Sequence, residues 1–111
     1  MPAPPETDLA RIRKYCQAQV PDRLRDQVRI EATVRGSSVT IFDCRPPWQT
    51  NLTEWSKVRV AQLRYSASTQ DWSLYWANRS GRWHRYDDLP PGPVHEVLQE
   101  IESDPTGIFW G

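Results

Sequence analysis

Residues Lys57 to Tyr86, KVRVAQLRYSASTQDWSLYWANRSGRWHRY, decide the fold. Three of the six tryptophans, three of the four tyrosines and five of the arginines fall here. Ala61, Leu63 and Tyr65 alternate with Gln62 and Arg64, the period of a strand with one buried face. Val58 and Val60 are out of phase with them, which predicts a kink near Val60. Ser66 to Gln70 reads as a polar hairpin loop. Trp72, Leu74 and Trp76 then alternate with Ser73 and Tyr75. After the turn signal Asn78-Arg79-Ser80-Gly81, Trp83 and Arg85 alternate with His84 and Tyr86. The stretch is a three-strand antiparallel meander, in which cross-strand aromatic pairs each add about 0.2–1 kcal/mol. Alternation assigns Ala61, Leu63, Tyr65, Trp72, Leu74 and Trp76 to the core.

Upstream, Gln27 to Arg35 alternates cleanly, with Val28, Ile30, Ala32 and Val34 on one face. Gly36 and Ser37 make a turn, and Ser38 to Arg45 returns as a strand. There Val39 and Ile41 share a face with Asp43, so either Phe42 points out of the main core or a bulge switches the faces. An aspartate on that face needs a partner. Arg45-Pro46-Pro47-Trp48 breaks the strand. The irregular stretch Gln49 to Ser56, with Trp48 and Trp55 near its ends, packs over a sheet edge or walls a pocket. At the N-terminus, the prolines of residues 1–6 predict a frayed lead-in, and Thr7 or Asp8 an N-cap. Leu9, Ile12, Cys16 and Val20 form a helical stripe that Pro21 ends. Downstream, Asp87 to Pro93 is a connector. Val94, Val97, Leu98 and Ile101 form a second helical stripe, with Glu96, Glu100 and Glu102 on its solvent side. Asp104-Pro105 stops that helix, and the tail Ile108-Phe109-Trp110 is apolar enough to be tucked in, with Phe109 and Trp110 against the sheet.

The order of elements predicts one α+β domain over residues 1–111: an N-terminal helix, a five-stranded antiparallel meander sheet, a C-terminal helix and a packed apolar tail. A chain of 111 residues buries roughly two-thirds of its unfolded surface, enough for a core without staples. No apolar run reaches membrane-spanning length, and MPAPPETDLA lacks the pattern of a secretory signal, so the expected location is the cytoplasm. The two cysteines, Cys16 and Cys44, are expected to be reduced. With His84 and His95 they form no ligand set at metal spacing, so neither metal nor cofactor is expected. Net charge is zero, but residues 86–111 carry six acids and no Lys or Arg, against fourteen basic and eight acidic groups before them. Either the molecule has faces of opposite potential or the acidic helix docks on the basic half.

Several segments together, Arg45-Pro46-Pro47-Trp48, Ala61-Gln62-Leu63-Arg64-Tyr65, Trp72-Ser73-Leu74-Tyr75-Trp76, Trp83-His84-Arg85-Tyr86 and Asp104 to Gly111, give the chain its likeness. It resembles the bacterial domain-of-unknown-function family numbered 3024 over nearly the whole chain after the N-terminal tail. The resemblance implies a small stand-alone bacterial protein and brings no catalytic residues.

No phosphate loop, zinc motif or serine elbow is present. His95 reads as solvated, and His84 as a structural histidine among aromatics. The absence of catalytic motifs favours a non-catalytic binding module. Its surface is the face opposite the core, carrying Arg29, Glu31, Thr33, Thr40, Gln62, Arg64, Tyr75, His84 and Tyr86. Arginine interleaved with tyrosine suits single-stranded nucleic acid, the guanidinium taking phosphate while the ring stacks a base; a protein partner is the other candidate. The candidate binding residues are Arg45, Trp48, Gln62, Arg64, Tyr75, His84, Arg85 and Tyr86. The alternative is a small-molecule binder or enzyme with a pocket between residues 46–56 and the meander, using Asp43, Arg45, Arg64 and His84. If both helices pack on one face, the other is open; if they split, there is no platform.

Overall fold

The computed structural model describes residues 3–47 and 53–111. Helix α1 (Glu6–Ala18) leads, after a short 3-10 turn, into strands β1 (Arg29–Arg35), β2 (Ser38–Arg45), β3 (Ser56–Ser66), β4 (Asp71–Ala77) and β5 (Trp83–Arg85), followed by helix α2 (Val94–Ser103). The strands form one antiparallel sheet in the order β1-β2-β3-β4-β5. This is the α+β meander that the alternation predicts.

Both helices lie on the same face of the sheet. Leu9, Ile12 and Cys16 of α1 and Val94, Val97, Leu98 and Ile101 of α2 share one cluster with Val39, Ile41, Ala61, Leu63, Trp72 and Leu74. The kink expected near Val60 is a register shift. Ile41 pairs with Ala61 but Phe42 with Arg59, so Val60 is the extra residue, and it too is buried. Of the two alternatives for β2, Phe42 points out of the main core and the alternation of β2 continues. Asp43 finds its partner in Arg45, whose Nε donates to it over 2.9 Å.

The ends of the helices differ from expectation. Helix α1 opens at Glu6 behind Pro5, with no side-chain cap; the Pro5 carbonyl accepts the Asp8 and Leu9 N–H groups. Asp8, expected as a cap, instead accepts the indole N–H of Trp72 over 2.9 Å. Pro4 is buried, so residues 4–6 are held against the fold rather than frayed. Val20 is buried beyond the end of the helix, and β1 begins at Arg29 rather than Gln27.

The short β5 is not left to cover the edge of β4 alone. Tyr86 N–H continues the ladder to the Leu74 carbonyl, and Gly92 exchanges two backbone bonds with Trp72. The connector 87–93 therefore closes the open half of that edge. At the C-terminus Asp104 adopts a left-handed conformation, φ 42°, which turns the chain back on α2. Its carboxylate accepts the N–H groups of Phe109 at 3.0 Å and Trp110 at 2.8 Å. Phe109 is buried with its ring 5.1 Å from that of Tyr86, as the apolar tail predicts.

That lock yields the first prediction. Hydrogen bonds to a charged group are worth about 1.5–3 kcal/mol each, so Asp104→Ala, which removes two, should cost about 3–6 kcal/mol in urea unfolding. Asp104→Asn, which keeps an acceptor and tolerates positive φ, should cost clearly less. Equal losses for the two variants would show that the carboxylate does not hold the tail.

Candidate functional site

The face away from the helices is built by strand register. Residues directly opposite across a ladder share a face, so the pairs Thr40–Gln62, Gln62–Tyr75 and Tyr75–Arg85 draw one row across four strands. Gln62 Nε2 donates to Thr40 Oγ1 at 3.0 Å, and Arg64 Nε donates to Gln62 Oε1 at 2.7 Å. Held in this way, the Arg64 guanidinium lies over the Tyr75 ring, 3.8 Å from its centroid, with that of Arg85 at 6.0 Å. Both distances fall within the reach of cation–π attraction.

Toward β1 the same face carries a second aromatic-cationic group. Arg29 sits over the Trp55 ring at 4.2 Å and Lys57 over the Phe42 ring at 5.6 Å. Cys44 is buried on this side beside Glu31, to which its Sγ is 3.7 Å away. Burial pushes the Cys44 thiol up, and the Glu31 charge adds to the shift. Cys16 lies under α1, where burial raises its thiol to about 12. The two thiols sit on opposite faces of the sheet and are free, and neither is a ready nucleophile.

The basic groups on the open face are Arg29, Arg35, Lys57, Arg59, Arg64 and Arg85, against Glu31 and Asp71. Among the described residues the ion pairs are Arg25–Asp22 and Arg45–Asp43. Arg64 and Arg85 therefore have no carboxylate partner there. An open cavity of about 490 Å³ adjoins the face between the start of β3 and the β4–β5 turn, lined by Lys57, Val58, Arg59 and residues 77–81.

The structure brings together Gln62, Arg64, Tyr75 and Arg85 and separates the other candidates. Arg45 is on the helix side, bound to Asp43. Trp48 lies outside the described residues. His84 and Tyr86 are on the helix side as well, because the β4–β5 turn pairs Trp76 with His84 and Tyr75 with Arg85. Asn78 Oδ1 accepts the backbone N–H groups of Ser80 and Arg82, leaving its Nδ2 to donate to His84 Nε2 at 2.8 Å. The imidazole stacks on Trp76 with centroids 4.9 Å apart. Tyr86 is 3% exposed, and its hydroxyl donates to Glu100 at 2.7 Å. These two side chains hold the meander to its turn and to α2. Asp43, Arg45, Arg64 and His84 do not converge, so the pocket in that form is absent among the described residues. Arg59, Lys57 and Trp83 belong to the open face and were missed. Their signal is the bulge at Val60 and the length of the β4–β5 turn, each of which sets the phase of the strand after it.

A basic, aromatic-bearing sheet face backed by two helices defines an α+β protein with one face that no helix covers among the described residues. The family described as "Domain of unknown function (DUF3024)" matches residues 1–111, and the chain belongs to that family. No curated protein and no solved structure matches the chain. Among the described residues no helix is long and apolar enough to cross a membrane.

Two tyrosines give a prediction in alkali. Burial, reinforced by Glu100, raises the Tyr86 hydroxyl to about 12. Burial also pushes Tyr15 above the usual range, with Glu102 adding and the nearby Trp110 indole opposing. A folded pKa above the unfolded value of about 10 contributes stability that is complete below pH 10 and lost as pH rises through the folded value. Urea midpoints of the wild type should fall between pH 10 and 12 more steeply than those of a Tyr15→Phe/Tyr86→Phe double variant. Parallel curves would deny both tyrosines this role.

Proposed function

We propose that the protein is a non-catalytic binding module that grips single-stranded nucleic acid on the open face of its sheet. The observation that carries this reading is that α1 and α2 share one face, leaving the Arg64–Tyr75–Arg85 row uncovered and without a carboxylate partner among the described residues. Because Arg64 already covers one side of the Tyr75 ring, the base stacks on the outer plane of the guanidinium rather than directly on that side of the ring. Gln62 fixes that plane through Arg64 Nε, which leaves the terminal nitrogens for the base edge or phosphate. Arg85, Arg59 and Lys57 lie where a strand crossing the sheet places its phosphates. A base-plus-backbone surface of this kind reads sequence weakly and depends strongly on salt. The Lys57, Arg59 and Arg79 side of the 490 Å³ cavity supports a second reading, a pocket for a small phosphorylated ligand.

Fluorescence anisotropy with labelled oligo-dT and oligo-U at low and moderate salt tests the first reading. Binding should weaken as salt rises. Because each phosphate contact on a single strand adds about 0.7 to the slope of log K against log salt, Arg64→Ala/Arg85→Ala should flatten it by about 1.4. Arg64→Lys keeps the charge and loses the plane, so affinity should drop while the slope is kept. Absence of binding at low salt rejects the nucleic-acid reading. Binding of a nucleoside monophosphate, lost in Arg59→Ala but not in Arg64→Ala, would favour the pocket.

A further inference from the structure

A second surface lies at the opposite edge of the sheet. A cavity of about 330 Å³ sits between α1 and β1, lined by Arg13, Cys16, Gln17 and Val20 on one side and by the consecutive residues 29–32 on the other, with Arg25 at its end. Successive side chains of a strand point to opposite faces. A cavity touched by four consecutive strand residues is therefore walled by the strand's main-chain edge. Indeed the Glu31 side chain is engaged on the open face with Cys44, and that of Arg29 with Trp55.

β1 is the terminal strand, paired among the described residues only with β2. Gly36 and Ser37 form a two-residue turn between the paired residues Arg35 and Ser38. Such a hairpin closes on a hydrogen-bonded pair, and alternation from it directs the N–H and C=O groups of Ile30, Ala32 and Val34 away from β2. Among the described residues none of these groups has another hydrogen-bond partner. While the connector 87–93 closes the edge of β4, this edge stays open among the described residues.

We infer that the groove between α1 and β1 accepts an extended acidic peptide as a sixth strand, antiparallel or parallel to β1. Its main chain pairs with Ile30, Ala32 and Val34. Every second side chain faces the helix side, onto a floor of Cys16, Val20, Ile30 and Ala32 that takes apolar groups. The intervening side chains fall beside Arg29 and Arg35 on the open side, and the groove's own rim carries Arg13 and Arg25, the latter paired with Asp22. With Glu31 the only acid on this strand, charge complementarity selects carboxylates at those positions. The peptide is thus one alternating acidic and apolar residues. This site uses neither Arg64 nor Tyr75 and borders the open face only along β1, at Arg29 and Arg35.

The test is an amide NMR titration of the full chain with a peptide of about six residues, the length of an ordinary strand, alternating glutamate and valine. Shifts are expected in residues 13–20 and 30–34. Affinity should fall by about tenfold or more when alternate peptide amides are N-methylated or glutamate is replaced by lysine. Ala32→Pro removes the central outward donor without touching the ladder to β2 and should abolish binding, while leaving oligonucleotide binding intact. If that variant fails to fold, the N-methylated peptide makes the same test on the wild type, and Arg13→Glu tests the rim. The proposal is overturned by an absence of shifts at millimolar peptide, by shifts confined to other strands, or by equal binding of the lysine peptide. It is equally overturned by a dimer in sedimentation that Ala32→Pro dissolves, since that result assigns the edge to a second copy of the chain.

Discussion

Burial of one face of the sheet under two helices is the constraint on which the rest of the molecule depends. Val39, Ile41, Ala61, Leu63 and Leu74 alternate along three neighbouring strands, so their burial fixes the register of each strand against the next. Two amphipathic helices with one apolar stripe each are needed to dehydrate an area of that width. Once both are used on one side, no helix among the described residues remains for the other. The open face is therefore a consequence of the core, and its polar composition is what keeps the sheet from stacking on itself.

The aromatic residues divide by this geometry into two kinds. Trp72 and Tyr86 carry a polar atom into the helix layer and satisfy it on an acid there, Asp8 and Glu100. Each bond ties a strand, or the chain just beyond it, to a helix distant in sequence, so the acids of α1 and α2 act as clasps as well as solvent-facing charges. Tyr75 and Trp55 instead lie under arginine guanidiniums on the open side. The charge asymmetry along the sequence is carried only partly into space: acidic α2 is on the helix side and Arg29, Arg35, Arg59, Arg64 and Arg85 are on the other, but Arg45 and the basic residues of α1 share the helix side.

The two edges of the sheet are handled differently. β4 is extended by β5, Tyr86 and Gly92, which between them complete its ladder. Among the described residues β1 has no such cover, and it carries charge along its length at Arg29, Glu31 and Arg35. Charges on an edge discourage indiscriminate pairing while leaving the main chain available to a strand of complementary charge. The open face and the groove between α1 and β1 thus meet along β1 at Arg29, which lines the groove and holds Trp55 on the face.

Much of this was legible in the sequence. The meander, both helical stripes and the kink near Val60 follow from local periodicity, since the side-chain period of a strand or helix is a property of its own backbone, and the buried tail follows from its apolar composition. Gln62, Arg64 and Tyr75 were placed correctly on the open face for the same reason. His84 and Tyr86 were not, because their face depends on the length of the turn after Ala77, and one residue of register reverses every side chain beyond it. The fate of Asp8, read as a cap but bound to Trp72, and of Arg45, read as a ligand-binding group but bound to Asp43, depended on partners that only folding brings near. Above all, no local pattern states which side of a sheet a helix will cover. An amphipathic stripe specifies that it must be buried, and the connections and the shape of the core decide where.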